Sequence, residues 1–170
     1  MPIRTILDTD IGTDVDDCLA LALILASPEF QLEGVTCVYG DVLLRARIAK
    51  KLLQLRGVTN VPVMVGARKP LMGQRPVYWE GREGDGLLTA ADDYLRPEPE
   101  FAPDYIARMV MENPGEIHLI CIGPLTNAAL AFLREPQLAQ QLKHLTLMGG
   151  VIRGPHDLSL PYAEHNIICD

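Results

Sequence analysis

The first structural unit of the chain contains Ile6-Leu7-Asp8-Thr9-Asp10-Ile11-Gly12-Thr13-Asp14-Val15-Asp16-Asp17, in which five carboxylates fall within ten residues. The apolar residues before it predict a short buried strand, and the run from Cys18 to Leu25 predicts a helix with a wide apolar face. Side chains two positions apart on a strand share a face, so Asp8 and Asp10 are expected together at the strand's C-terminal end. Gly12 ends the strand, and Thr13 followed three residues later by Asp16 resembles a capping box.

This clustering of carboxylates is electrostatically unfavourable. Two carboxylates about 4 Å apart repel by roughly 4 kcal/mol at an effective dielectric constant near 20. A hard cation such as calcium or magnesium, which prefers oxygen ligands, would relieve that repulsion. Helix capping is the alternative, and it accounts for Asp14, Asp16 and Asp17. Capping does not account for Asp8 and Asp10 at the end of the strand, and strand ends at βα turns are where α/β proteins bind ligands.

Length and composition fit one soluble globular domain over residues 1–170. The hydrophobic fraction is 48%, and the formal net charge of −7 argues against nucleic acid as a partner. Four cysteines without CxxC spacing indicate reduced core thiols of a cytoplasmic protein. No apolar run reaches the roughly 18 residues that a membrane span needs, and no signal peptide is recognised.

Strand-like and helix-like segments alternate along the chain. Further strands are predicted at residues 32–39, 61–65, 116–122 and 143–150, with helices at about 42–56 and 103–111. The helix predicted at 42–56 is expected to carry a solvated basic outer face, formed by Arg45, Arg47, Lys50 and Lys51. Strands separated by helices form parallel sheets. The fold class is therefore α/β, a doubly wound and mainly parallel sheet of at least five strands.

Four motifs in this order resemble the inosine-uridine-preferring nucleoside hydrolase family. They are Asp8-Thr9-Asp10-Ile11-Gly12 followed by Asp16-Asp17-Cys18-Leu19-Ala20-Leu21, then Gly123-Pro124-Leu125-Thr126-Asn127, Met148-Gly149-Gly150, and Ala163-Glu164-His165-Asn166. Each motif follows a predicted strand, and the resemblance covers the whole chain. It implies a Rossmann-like nucleoside hydrolase fold with calcium at the C-terminal strand ends, here truncated after about five strands and lacking the family's C-terminal portion.

The resemblance also implies roles for particular residues. Counted back from the helix, Asp10 and Asp17 match the family's metal ligands, together with the backbone carbonyl of Thr126. Asp10 would also be the catalytic base towards water. The residues that would orient the ribose are Asp16, Asp41, Glu164 and Asn166.

The sequence departs from the family at several of these positions. Asp41 and Leu158 stand where asparagines are usual, and His165 replaces an aromatic residue. Arg82, in the glycine-rich stretch 79–87, stands near the place of a histidine. Arg82 has the simpler alternative of a surface ion pair with Glu83 or Asp85.

The expected function is calcium-dependent hydrolysis of the N-glycosidic bond of ribonucleosides, in purine or pyrimidine salvage. The reaction is expected to be impaired in this chain, because the family's leaving-group histidine and a further metal-binding aspartate have no counterpart before Asp170. A homo-oligomer is expected, because a sheet ending after its fifth strand leaves an open edge. Two alternatives remain: a non-catalytic sugar- or metal-binding remnant, and a phosphatase of the aspartyl-phosphate type.

Overall fold

The computed structural model of the chain describes residues 1–72, 76–77, 82–151 and 164–170. Its centre is a sheet of six strands, all of them parallel to their neighbours. The strands are β1 (Ile3–Thr9), β2 (Phe30–Cys37), β3 (Val63–Val65), β4 (Glu98–Phe101), β5 (Ile117–Cys121) and β6 (His144–Leu147), in the spatial order β4-β3-β2-β1-β5-β6.

Helices cover both faces of the sheet, which confirms the doubly wound α/β prediction. They are α1 (Asp16–Ala26), α2 (Val42–Leu55), α3 (Ala102–Glu112), α4 (Thr126–Arg134), α5 (Leu138–Gln141) and α6 (His165–Cys169), with a 3₁₀ turn at Ala90–Asp92. Helices α1 and α2 pack on one face around Leu7, Val35 and Ile48. Helices α3, α4 and α5 pack on the other face around Ile6, Ile106 and Leu119.

The strand order changes direction at β1. From β1 the chain moves outward through β2, β3 and β4, then returns to place β5 on the other side of β1. In open parallel sheets, the crevice at such a switch point lies outside the carboxyl ends of the strands and is the usual ligand site. The acidic segment after β1 therefore lies where the fold favours binding.

The structure differs from the sequence-based expectations in three places. The edge strand β4 was not predicted, because Glu-Pro-Glu-Phe is a poor strand sequence that suits only an edge. Thr13 is not the N-cap of α1: the cap is Val15, without a side-chain bond, and the Thr13 hydroxyl accepts from Arg45. The side chain of Arg45 is buried rather than solvated, on the face of α2 that packs against the sheet.

The cysteines agree with the sequence-based prediction of reduced thiols. All four cysteines are free, and three of them are buried. Among the described residues, no helix is long and apolar enough to cross a membrane. Leu158 and the first part of the glycine-rich stretch lie outside the described residues.

Candidate active site

Asp8 is a fully buried carboxylate near the end of β1. Its Oδ1 accepts hydrogen bonds from Thr36 Oγ1 (2.5 Å) and Asn127 Nδ2 (2.8 Å). Its Oδ2 has no hydrogen-bond partner among the residues that the structure describes. Burial raises the pKa of Asp8 to about 7, against the opposing effect of these two donors. Asp8 therefore adds a largely enclosed acceptor oxygen beneath the acidic turn.

Asn127 joins the ends of three strands. Its Nδ2 donates to Asp8 Oδ1 and to the Cys37 carbonyl (3.2 Å), and its Oδ1 accepts from Ala67 N (2.8 Å). The side chain is fully buried, so these bonds replace its solvation. The sequence indicated only a helix start at this position. The only signal for its contacts was its place in the Gly-Pro-Leu-Thr-Asn motif.

Asp10 and Asp17 come together across the β1–α1 turn. The Asp17 Oδ1 accepts a short hydrogen bond from the Thr9 hydroxyl. Burial, and then the nearby charge of Asp10, raise the pKa of Asp17 to about 7. Burial also raises the pKa of Asp10, opposed by the charge of Arg45. The two carboxylates repel each other, which is the condition that cation binding relieves.

These residues form one wall of a cavity of about 200 Å³ at the switch point. Helix α6 supplies the opposite wall with Glu164, His165 and Asn166. The complete set of lining residues is Asp10, Thr13, Asp14, Asp16, Asp17, Ile122, Met148, Glu164, His165 and Asn166. The structure thus brings five of the predicted site residues to one cavity: Asp10, Asp16, Asp17, Glu164 and Asn166.

Two of these residues also hold the α6 wall in place. Asn166 Nδ2 donates to the carbonyls of Ile122 (2.8 Å) and Met148 (3.0 Å), which follow β5 and β6. Glu164 Oε2 caps α6 by accepting from Ile167 N (3.0 Å). Both hydrogens of Asn166 Nδ2 are thus used, so Asn166 would contact a ligand through Oδ1, whereas Glu164 keeps acceptor capacity on its carboxylate.

Thr126 lies at the first position of α4, just after β5. Its hydroxyl donates a short hydrogen bond to Asp170 Oδ1, a contact that the sequence did not reveal. In the same segment, a Cβ on Gly123 would lie 2.7 Å from Asp10 Oδ1. Glycine at position 123 therefore lets the β5 end approach Asp10. Within the described part of the chain, Thr126 itself is not among the lining residues of the cavity.

Asp41 is separate from this group. It caps α2, its Oδ1 accepting from Leu43 N and Leu44 N (both 3.2 Å), and it lines a different cavity with Gly40, Arg68, Lys69 and Val77. Arg82 forms an exposed ion pair with Asp85 (3.2 Å), the simpler of its two readings.

The carboxylates suit a hard cation by their chemistry. Five lining carboxylates offer only oxygen ligands. Among the described residues, no three His, Cys, Asp or Glu side chains are already grouped closely enough to hold an ion. The donor set therefore fits a cation in kind, and binding one requires the side chains to draw together.

Comparison with known proteins adds independent information. Residues 5–170 match the family described as inosine-uridine preferring nucleoside hydrolase. The chain is 32% identical to uridine nucleosidase 1 of Arabidopsis thaliana, over 98% of the chain and 50% of that protein. It is 34% identical to the inosine-uridine preferring nucleoside hydrolase of Crithidia fasciculata, over 100% of the chain and 55% of that protein.

Solved structures agree with these matches. A purine-preferring ribonucleoside hydrolase from Gardnerella vaginalis superposes with a TM-score of 0.82 at 31% identity, covering 98% of this chain and 54% of that one. The chain thus spans about half the length of the curated relatives it matches.

Proposed function

The chain belongs to the inosine-uridine preferring nucleoside hydrolase family, and from this premise we propose that it acts on ribonucleosides by hydrolysing the bond between base and ribose. The observation that carries the proposal is the convergence of Asp10, Asp16, Asp17, Glu164 and Asn166 on one cavity at the β1/β5 switch point. The cavity lies where this fold usually binds ligands, and its acidic lining suits a reaction in which positive charge develops on the sugar carbon.

Hydrolysis of this bond passes through a transition state that resembles an oxocarbenium ion. The positive charge that develops on the sugar would lie beside the carboxylates that line the cavity, of which Asp10 and Asp17 are buried. Such preorganised charge stabilises the transition state more than mobile water does. Asp10 would accept the proton of the attacking water, and burial raises its pKa, which makes it a better base than an exposed aspartate.

The ribose hydroxyls would be held by the outer residues of the cavity. Asp16 and Glu164 Oε1 would accept hydrogen bonds from hydroxyl groups, and Asn166 Oδ1 would accept a further one. Asp41, which lines the neighbouring cavity, would contact the sugar only if the ligand extends beyond the main site. Fixing the sugar in this way places the reacting carbon against the water and lowers the entropic part of the barrier.

We also propose a divalent cation, calcium, at this site. Asp10 and Asp17 would hold it from the cavity wall, and the Thr126 carbonyl would join them if the start of α4 moves towards the cavity, which Thr126 does not line here. When bound, it would offset the carboxylate repulsion, polarise a water molecule and orient the sugar hydroxyls. The environment of Asp17 supports this, because burial and then the nearby charge of Asp10 raise the pKa of Asp17, and a cation would offset that charge.

The test is release of base from inosine and uridine, with calcium and with EDTA, by the chain as it exists. Asp10→Asn is expected to lower the rate by about 10²–10⁴-fold, the usual contribution of a positioned base. Asp104→Asn is the matched control, because Asp104 is a surface carboxylate on α3 that pairs with Arg134 at the end of α4. p-Nitrophenyl phosphate is the third substrate, for the phosphatase alternative.

The outcomes separate the alternatives. Hydrolysis that depends on Asp10 supports the proposal. Saturable binding of ribose or inosine without turnover would instead identify a sugar-binding protein of this family. Turnover that is unchanged in Asp10→Asn would show a contaminating enzyme and overturn the assigned role of Asp10.

A further inference from the structure

Arg45 is a buried cation in the layer of residues between α2 and the sheet. It lies in the stripe of α2 that packs inward, with Val42, Ala46 and Ala49 as neighbours. Its side chain is 0% exposed. Arginine is almost never buried to this extent unless its charge is compensated and its donors are used. Burial lowers the pKa of Arg45, opposed by the charge of Asp10.

The guanidinium of Arg45 connects the loop after β1, which lines the candidate site, to the loop after β2. Nε donates to the Tyr39 carbonyl (2.6 Å) in the loop after β2. Nη1 donates to the Ile11 carbonyl (3.1 Å) and Nη2 to Thr13 Oγ1 (3.0 Å), both in the loop after β1. A planar group with donors in fixed directions holds three acceptors in one arrangement, which a lysine ammonium on its flexible stem does not.

One of these acceptors belongs to a residue with an unfavourable backbone. Tyr39 has φ = +66°, the left-handed region that non-glycine residues rarely adopt because it is sterically unfavourable. Such a conformation persists where surrounding bonds fix it, and Tyr39 is held by its carbonyl at Arg45 and its N–H at the Ala67 carbonyl (2.7 Å). The hydrogen bond from Arg45 thus helps to hold a backbone conformation that is unfavourable for Tyr39 by itself.

The same guanidinium lies beside Asp10. Nη2 is 3.9 Å from Asp10 Oδ2, within ion-pair range but too long for a hydrogen bond. Asp10 is bracketed on one side by this charge and on the other by Gly123, where no side chain intervenes. Arg45 also holds Ile11 and Thr13, the residues that follow Asp10 in the chain.

We infer that Arg45 is a positioning residue, which holds Asp10 and the loop 11–13 in the arrangement that lets the carboxylates converge on a cation and a sugar. This rests on the proposed function, in which Asp10 acts at the cavity. Arg45 acts through Asp10 and the loop.

The sign of one measurement distinguishes this role from a purely electrostatic one. A positive charge close to Asp10 by itself disfavours a cation, so Arg45→Met would tighten calcium binding if only the charge mattered. If Arg45 positions the loop, Arg45→Met weakens binding. Arg45→Lys keeps the charge but loses the three-point geometry, so it also weakens binding.

The experiment is calorimetric titration of calcium into the chain, Arg45→Met, Arg45→Lys and the control Arg47→Met. Arg47 lies on the same helix and pairs with the exposed Asp93 (2.7 Å), so its removal changes charge equally without touching the loops. We expect about tenfold weaker binding for both Arg45 variants, at a temperature where each is fully folded. Arg47→Met is expected to bind within twofold of the unsubstituted chain.

Amide hydrogen exchange gives a readout that does not depend on a cation. A positioning role predicts faster exchange confined to Ile11–Thr13 and Tyr39–Gly40. Uniformly faster exchange, with calcium affinity unchanged or tighter in Arg45→Met, would overturn the inference and leave Arg45 as a general stabiliser of the fold.

Two further results keep the tests separable. If Arg45→Met does not fold, Thr13→Val removes one of the three acceptors without burying a charge, and it must still weaken calcium binding and loosen the loop. If the unsubstituted chain binds no calcium, the proposed cation fails. Localised exchange in Arg45→Lys would then support the positioning of the loop, and its absence would overturn it.

Discussion

At the scale of single residues, the site is defined by carboxylates that the fold buries close to one another. Asp8 and Asp17 both have pKa values of about 7, against 3.8 for an ordinary aspartate, with burial as the first cause. Between about pH 3.8 and pH 7, Asp8 and Asp17 keep protons in the folded chain that they have released in the unfolded chain. Stability therefore falls as pH rises through this window, and it levels off above about pH 7.

We expect this pH dependence in the absence of divalent cations. In EDTA, the free energy of unfolding in urea should decrease from pH 5 to pH 8, and Asp17→Asn should reduce the slope because its amide does not titrate. The Asn side chain can still accept from Thr9, so the variant should be more stable than the unsubstituted chain at pH 8. Asp104→Asn is the control. If the unfolding free energies of Asp17→Asn and of the unsubstituted chain change with pH in parallel, then burial does not raise the pKa of Asp17.

Asn127 should be needed for stability as well as for the site. Asn127→Ala removes two donors and one acceptor from a fully buried cluster, and leaving such groups unsatisfied should cost about 3 kcal/mol. Asn127→Asp should be worse at pH 8 than at pH 5, because it adds a carboxylate beside Asp8. Urea unfolding measures both. Asn113→Ala, at a half-buried asparagine, is the comparison, and an equal loss there would contradict the prediction.

At the scale of elements, the strand ends determine which loops meet. The segment after β5 can approach the end of β1 closely because it contains Gly123. A Cβ at this position would also lie 2.8 Å from the Asp10 backbone nitrogen. Helix α6 is then fixed against β5 and β6 by Asn166. The two walls of the cavity are thus set by the close approach of Gly123 to Asp10 and by the bonds of the Asn166 side chain to backbone carbonyls.

Gly123→Ala should consequently disturb the site more than its size suggests. The added methyl group must push Asp10 away, so calcium binding and any hydrolysis should fall at least tenfold. Gly149→Ala, after β6, should change calcium binding and hydrolysis by less than twofold. A Cβ at position 149 would lie 3.3 Å from the flexible end of the Ile167 side chain. Calorimetric titration and the base-release assay test both variants, and equal behaviour would mean that the β5 turn adjusts freely.

At the scale of the whole molecule, one edge of the sheet stands out. Within the described residues β6 pairs only with β5, and exposed apolar side chains surround it: Leu147, Met148, Val151, Ile167 and Ile168. An open strand edge beside an apolar patch favours association with another chain.

We therefore expect the chain to self-associate between about 5 and 100 µM, measured by sedimentation velocity. Leu147→Lys should shift the population towards monomer, because a charge on an edge strand opposes pairing. Leu133→Lys, which places the same charge on exposed α4, should not. A monomer at every concentration for the unsubstituted chain would refute the expected oligomer.

The sequence by itself determined the fold class and the family. Alternation of apolar strands with helices is written in contiguous residues, and the motifs at the strand ends need only their own neighbours to be recognised. Since parallel strands carry those motifs to one edge of the sheet, the approach of Asp10, Asp16 and Asp17 to Glu164 and Asn166 also followed, although their roles stay predictions.

Only the tertiary structure decided what surrounds these residues. The basic residues of α2 predicted an outer, solvated position for Arg45. In the structure Arg45 is buried beside Asp10, and loops distant in sequence provide its hydrogen-bond acceptors. Asp41 follows β2 as expected, but its carboxylate caps α2 and lines another cavity. Burial and long-range hydrogen bonds depend on how several elements pack together, and no local pattern of residues encodes them.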